Sequence, residues 1–335
     1  MFPLLKLPFL CIQAVLQNTS PRDLIHFSLA SKKSYRLLKL IKSSVKKINF
    51  NGQEGSIYFL DFNEKWLINV GDIKEQATVT VNMNGNEAKW FITDSQSYIY
   101  THQSVCEFLK YAVPYLLDIF NCEIHHCLFA IDQIPSLTEI SCFGFTKCQH
   151  IILEGEREVR DKEMLSVIQK MTATKISLAV NLNEFFYCNP ELFNTEHLGL
   201  GKRSAKWLTC DTFLRLQRIP DIRMFDPRNS PLMERDFIAF ISQWYHSDNR
   251  QFRQLAVCVP WRLSPHFLER FQPTRYDSKE RGPVFPCNGK GINSVDGRDI
   301  LRSDGLLATV YQRLMVVYFY VWHERFPNLG DIAII

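Results

Sequence analysis

No uninterrupted apolar run in this 335-residue chain reaches the ~18 residues a membrane-crossing helix needs. The nearest stretch, Leu306 to Trp322, holds Gln312 and Arg313 in its middle and is rich in Val, Tyr and Phe, which predicts two strands. Low-complexity tracts are missing too, and with 46% hydrophobic residues, 22% charged residues and a mean hydropathy of -0.13 the chain reads as globular, with no long disorder. Cysteine occurs 10 times but never as C-x-x-C, so reduced, mostly buried thiols of the cytosol or nucleus are expected, not a disulfide framework. Cys122, His125, His126 and Cys127 bring metal-ligand types together, but their spacing fits no common zinc pattern, and no metal site is expected. G-x-S-x-G, H-E-x-x-H and a Cys/His nucleophile pairing are all lacking. The expectation is a non-catalytic protein without a cofactor.

What is present begins with the opening apolar stretch. A secretory leader would fit Lys6 followed by Leu7 to Leu16, and would make Asn18-Thr19-Ser20 a glycosylation acceptor. Pro3 and Pro8 interrupt that run, however, and Gln17-Asn18-Thr19-Ser20 offers no A-x-A-like cleavage site. A helical reading explains more residues. Pro8 suits the first turn of a helix, and Phe9, Ile12 and Leu16 recur at i, i+3 and i+7 on one face. Ser20 then serves as N-cap, Pro21 as first residue and Asp23 as third of a second helix striped by Leu24, Phe27 and Ala30. Ser31 caps a third, striped by Tyr35, Leu38 and Ile41.

Three short helices in about forty-five residues lie near the lower size limit for independent stability, so the module should lean on a partner or on the rest of the chain. Leu7-Pro8, the hydrophobic helix, Ser20 to Leu24 and Phe27-Ser28-Leu29-Ala30-Ser31-Lys32 together resemble an F-box. That resemblance implies docking on the Skp adaptor of a Skp–cullin–F-box ubiquitin ligase, with Leu7, Pro8, Ile12, Leu16, Leu24 and Ser28 at or just beneath the interface. The first 50 residues carry nine Lys or Arg against Asp23 alone, a net +8; with +4 for the whole chain, the remainder carries −4. A basic third helix could touch nucleic acid or an acidic partner; without aromatics interleaved among the lysines, a solvated basic face near an acidic adaptor is expected.

Strand formers follow at Ile48 to Phe50, Ser56 to Phe62 and Ala77 to Met83, with Asn51-Gly52 and Asn84-Gly85 as turns. Val105, Leu109, Ala112, Leu116 and Phe120 predict a helix over 103–121 that Pro114 should kink or divide. From about residue 148 a repeat appears: Ile151/Leu153, Ile176/Leu178, Leu198/Leu200, Ile222/Met224 and Leu255/Val257, with first anchors 25, 22, 24 and 33 residues apart. Helix-like runs such as Glu163 to Met171 and Ser204 to Leu216 lie between them. A strand plus a helix every ~20–29 residues is the leucine-rich-repeat period, here degenerate and without a regular Asn, so parallel strands are expected to stack into a solenoid-like body.

In Pro231 to His246 the aromatic stripe Phe237, Phe240, Trp244 and Tyr245 is assigned to the core, not to a ligand box. Lys206-Trp207-Leu208-Thr209, Ile222-Arg223-Met224, and Leu232 with Asp236, Phe237, Phe240 and Trp244 resemble a type 2 F-box-associated domain, which implies a substrate-holding body. Pro273 to Gly291 reads as a loop, and Asn288-Gly289-Lys290-Gly291 lacks the spacing of a phosphate loop. Gly297 to Arg302, Leu306 to Gln312 and Met315 to His323 predict a meander that caps the open end of the repeat.

The expected architecture is mixed α/β: an F-box over 1–46, a strand-rich segment with its helix over 47–125, and a repeat body with a β-rich cap over 126–335. The expected role is a cytoplasmic or nuclear adaptor that joins Skp and a cullin scaffold to a protein target and accelerates ubiquitin transfer by proximity. The other readings are a basic-armed nucleic-acid-binding protein and a secreted α/β enzyme.

Overall fold

Single residues set where the first helices start. The computed structural model describes residues 6–41, 43–71, 79–83, 85–92, 97–183, 185–201, 204–225, 231–287, 290–328, 330 and 333–334. Helix α1 (Phe9–Gln17) begins directly after Pro8, whose carbonyl accepts the N–H groups of Cys11 and Ile12 at 3.0 and 3.1 Å. Pro8 therefore stands one residue outside the helix, not within its first turn, and its missing N–H is neutral at either place. Helix α2 (Pro21–Ala30) is capped by Ser20, whose hydroxyl accepts the Asp23 N–H at 3.2 Å and donates to the Asp23 carboxylate at 2.8 Å. Ser31 caps α3 (Lys32–Leu40) by accepting the Ser34 N–H at 3.0 Å. Ile12, Leu16, Leu24, Ile25, Leu38 and Ile41 are the buried apolar residues of these helices.

Two compact units make up the chain: residues 1–156 with 162–173, and residues 157–161 with 174–335. In the first, β1 (Lys47–Asn51), β2 (Ser56–Phe59), β3 (Glu64–Val70), β4 (Val79–Met83), β5 (Asn86–Ile92), β6 (Ser97–Thr101), helix α4 (Val105–Phe120), β7 (Glu123–Ala130), β8 (Lys147–Val159) and helix α5 (Asp161–Lys170) follow in order. The strands form a sheet ordered β8-β7-β1-β2-β3-β6-β5-β4. The pairs β8–β7, β7–β1 and β3–β6 are parallel, the others antiparallel. The Asn51 side chain accepts the N–H groups of Gln53 and Glu54, which makes the expected turn. Residues 77, 78 and Asn84 of the next expected strand and turn lie outside the described residues.

Helix α4 runs unbroken through Pro114 between its Ser104 cap and Asn121, which ends it with φ 48°. No division occurs there because nine buried side chains hold the helix on both sides of the proline, outweighing one lost backbone bond. Gly144, at φ 76°, lies against the same proline, where an added Cβ would come within 3.0 Å of its ring. Aromatic rings fill this unit: Phe50 meets Phe129 edge-on and stacks on Phe143, and Trp66 sits between Phe59 and Trp90.

The second unit holds β9 (Thr172–Leu182), β10 (His197–Leu200), α6 (Cys210–Arg215), β11 (Asp221–Met224), α7 (Glu234–His246), β12 (Gln254–Cys258), β13 (Thr274–Arg275), β14 (Val284–Cys287), β15 (Lys290–Asn293), β16 (Arg298–Leu301), β17 (Leu307–Arg313), β18 (Val316–Trp322) and β19 (Ala333–Ile334). Strands β9 to β12 are parallel, and four of the five predicted anchor pairs are register partners there; the fifth, Ile151/Leu153, lies on β8, which pairs with β7 in the first unit. Ile176, Leu198, Ile222 and Leu255 form one row; Leu178, Leu200, Met224 and Val257 form the next. All eight are buried. The meander β16-β17-β18 continues the sheet by pairing β18 antiparallel with β12.

Two expectations in this unit change. The helix expected over 204–216 is confined to Cys210–Arg215 and a following 3-10 turn, because Ser204 spends its hydroxyl and carbonyl on Val180 and Trp207. The loop expected over 273–291 contains β13 and the hairpin β14–β15. Phe285, Cys287 and Ile292 of that hairpin pack on Leu307, Tyr311, Tyr320 and Trp322, a burial that the prolines and glycines of the segment hide from a local reading. Asn288 and Gly289 lie outside the described residues.

Candidate functional site

Four of the six residues expected at the N-terminal interface belong to the interior. Ile12, Leu16, Leu24 and Ser28 are 6%, 3%, 1% and 3% exposed, whereas Leu7 is half-buried and Pro8 exposed. Phe9, assigned by its spacing to the buried stripe, is instead exposed, as are Leu10 and Val15. The inward face of α1 is the i, i+4 pair Ile12 and Leu16; Phe9, Leu10 and Val15 stand outside it. The signal was present in the sequence: α1 is apolar on more faces than a small bundle can cover, and the surplus forms an exposed patch on one helix.

Helices α2 and α3 tie the bundle to the first unit's body. Ser28 and Tyr115 share a buried hydrogen bond of 2.6 Å. Tyr35 donates its hydroxyl to Asp118, and Lys39 Nζ stands 2.6 Å from the same carboxylate. His26 stacks on Trp90 with ring centroids 4.5 Å apart. Burial, reinforced by Asp118, pushes the Tyr35 hydroxyl up to about 12. Burial also acts to raise Asp118, but the bonds from Lys39 and Tyr35 prevail and hold it below its ordinary value. His26 is lowered by burial, partly offset by Asp23. Lys32, Lys33 and Arg36 on α3 remain exposed.

Of Cys122, His125, His126 and Cys127, the last three lie on β7 and Cys122 just before it. Cys127 is buried with its sulfur 3.7 Å from that of Cys148, and His125 stacks on His126. Burial pushes the Cys122 thiol up to about 12. Among the described residues no three His, Cys, Asp or Glu side chains converge as metal ligands.

A second site lies in the other unit, where the amino ends of β10, β11 and β12 meet β14. Asp221 is 2% exposed; it takes a hydrogen bond from His197 Nδ1 at 2.8 Å and is bridged by Arg223 at 3.2 and 3.3 Å. Arg223 also reaches the Cys287 sulfur at 3.0 Å, and the Cys287 thiol donates to the Gln254 side-chain oxygen at 3.0 Å. Burial alone would raise Asp221, yet the bonds from His197 and Arg223 win and keep it ionised. Burial raises the Cys287 thiol, which makes it a poor nucleophile. Of the residues that carry the second sequence resemblance, Trp207, Leu208, Ile222, Met224, Leu232, Phe237, Phe240 and Trp244 are core, while Arg223 belongs to the Asp221 cluster.

Residues 4–46 match the F-box domain family, so the three N-terminal helices are an F-box. Across nearly its whole length the chain is similar to an uncharacterized protein of Caenorhabditis elegans, 26% identical over 363 aligned positions that cover 98% of this chain and 80% of the relative. No solved structure matches the chain.

Proposed function

We propose that this chain, with an F-box over residues 4–46, is the substrate-recognition adaptor of a Skp–cullin–F-box ubiquitin ligase. F-box proteins are in general non-catalytic adaptors that bind Skp. The observation that carries the reading is the division of labour in the helical bundle: Phe9, Leu10 and Val15 are left exposed while Ser28, Tyr35 and Lys39 are spent on α4. An apolar patch on a helix fixed to a folded body fits a preformed docking face, because its backbone needs no further ordering on binding.

On this reading Leu7 and Pro8 join the exposed face, Ile12, Leu16, Leu24 and Ser28 support it from beneath, and a cullin scaffold is reached through Skp. The strand-rich body holds a protein target near the charged ubiquitin and acts by effective concentration. The in-register parallel rows of β9 to β12 support a leucine-rich-repeat-like reading, and the core residues Trp207, Phe237, Phe240 and Trp244 support a type 2 F-box-associated body. Segments 1–46, 47–125 and 126–335 are the proposed domains, and the cytosol or nucleus the proposed location.

Capture of the tagged chain from cytosol tests this. A Skp-type adaptor and a cullin should co-purify, and changing Leu7 and Pro8 together to Ala should release both. Absence of the pair, or retention by the double variant, removes the adaptor reading; nucleic acid bound with a steep salt dependence would favour the basic face of α3 instead.

A further inference from the structure

The cleft beside Asp221 is not explained by the F-box. It encloses about 380 Å³, with Phe285, Val321 and Pro327 among its apolar walls and His197, Arg253 and Glu324 among its polar groups. Such a mixture of apolar walls and a few converging polar groups is the usual composition of a recognition pocket. The arrangement begins with strand register, which brings the first residues of three consecutive parallel strands, His197, Asp221 and Gln254, into one row.

Within that row the charge of Asp221 is already matched. Its oxygens are occupied by His197 Nδ1 and by the Arg223 fork, and Arg223 is held in turn against Cys287. What the cleft offers a ligand is therefore what this network leaves over. With Nδ1 bonded to Asp221, the His197 ring is fixed and only Nε2 remains for a ligand. Arg253 is exposed, with no ion-pair partner among the described residues. His323 spends Nε2 on the Phe252 carbonyl at 2.9 Å. Lys175, the register partner of His197 on β9, adds a cation beside the row, and Glu324 stands as the acid on the rim. Cationic donors outnumber acids left unmatched.

We propose that this cleft receives one anionic side chain, a carboxylate or a phosphate, from a partner protein, with Arg253 as its cationic donor and His197 donating through Nε2–H when its ring carries both protons. Phe285, Val321 and Pro327 pack on the methylenes that carry the anion. Asp221 is a positioning residue, since it acts through the imidazole. The inference rests on the adaptor reading only in naming the owner of that anion as the target to be ubiquitylated.

Titration of the full chain, followed by the side-chain NMR signal of His197, tests it. Three probes are used: N-acetyl-O-phosphoserine amide, N-acetylglutamate amide and Nα-acetyl-lysine amide. Both anions should shift the signal saturably, and their relative affinities tell phosphate from carboxylate. Arg253→Ala, at an exposed position that leaves the fold intact, should weaken them about tenfold, the loss of one charge-assisted bond. Glu324→Gln should leave anion affinity equal or higher. Saturation by the lysine compound alone, no saturable shift, or an unchanged affinity in Arg253→Ala would overturn the proposal. Skp capture by the same variant separates the two readings. Retained capture with lost anion binding isolates the cleft, and lost capture by wild type with intact anion binding removes the adaptor role alone.

Discussion

Arg281 has no accessible surface, and its charge is met by Asp299 at 2.8 Å, with further bonds to the Gly282 carbonyl and to both oxygens of Ser294. Its guanidinium lies 5.0 Å from the centroid of the Trp322 ring, and Thr309 donates to the second Asp299 oxygen. Such a pair is stable only when complete. Asp299→Ala is expected to cost about 3–5 kcal/mol in urea unfolding, because it strands a buried cation. Asp221 yields a pH prediction of definite sign. A carboxyl held below its ordinary value of 3.8 in the folded state stabilises the fold above that value, and the contribution is lost as pH falls through the lower folded value. Below about pH 4 the stability of wild type should therefore fall more steeply with acid than that of Asp221→Asn, as measured by circular dichroism. None of these pairings is legible in sequence, since Arg281 and Asp299, or His197 and Asp221, meet only through strand register.

Helix caps operate one scale up, and they were legible. Ser20 and Ser31 were assigned as caps from composition and position, and each accepts the expected N–H. Ser20→Ala should lower thermal stability by about 1 kcal/mol without altering the exposed face of α1. The faces of α1 were harder to read, because Phe9 fits the same helical spacing as Ile12 and Leu16. Only the packing partner decides which apolar side is covered. Leu10→Ala should leave stability within about 0.5 kcal/mol while weakening Skp capture, the pattern of an exposed docking residue. Ser28→Ala should do the reverse: it leaves the Tyr115 hydroxyl without its partner and costs about 1–3 kcal/mol, with Skp affected only through folding.

At the scale of the molecule, the repeat was visible because each buried strand position needs an apolar neighbour at the same height. The anchors of β9 to β12, spaced 22, 24 and 33 residues apart, supply those neighbours, and the four strands align them without slippage. Leu198→Ala, in the middle of one row, should cost about 2–5 kcal/mol by cavity formation. The meander serves the same body by closing an edge, since β18 satisfies the backbone of β12. A chain ending at Cys258 should aggregate in size-exclusion runs where the full chain does not; a soluble, folded truncation would count against this role. The hairpin β14–β15 was missed because its strands are short, interrupted by Pro286, and stabilised by rings from β17 and β18 instead of their own pattern.

By itself, the sequence determined what local chemistry governs: three short helices, the second and third capped by Ser20 and Ser31, with the residues of an F-box, the anchors of β9 to β12, the strands β17 and β18, and the absence of a membrane-length helix among the described residues. Tertiary structure alone decided which side of α1 stays bare, that Ser28 and Tyr35 bind α4, that a predicted loop becomes a hairpin, and that His197, Asp221 and Arg253 share a cleft. The physical reason is range. Caps and periodicity act over one or two turns of chain, whereas exposure and side-chain pairing depend on surfaces supplied by residues far away in sequence.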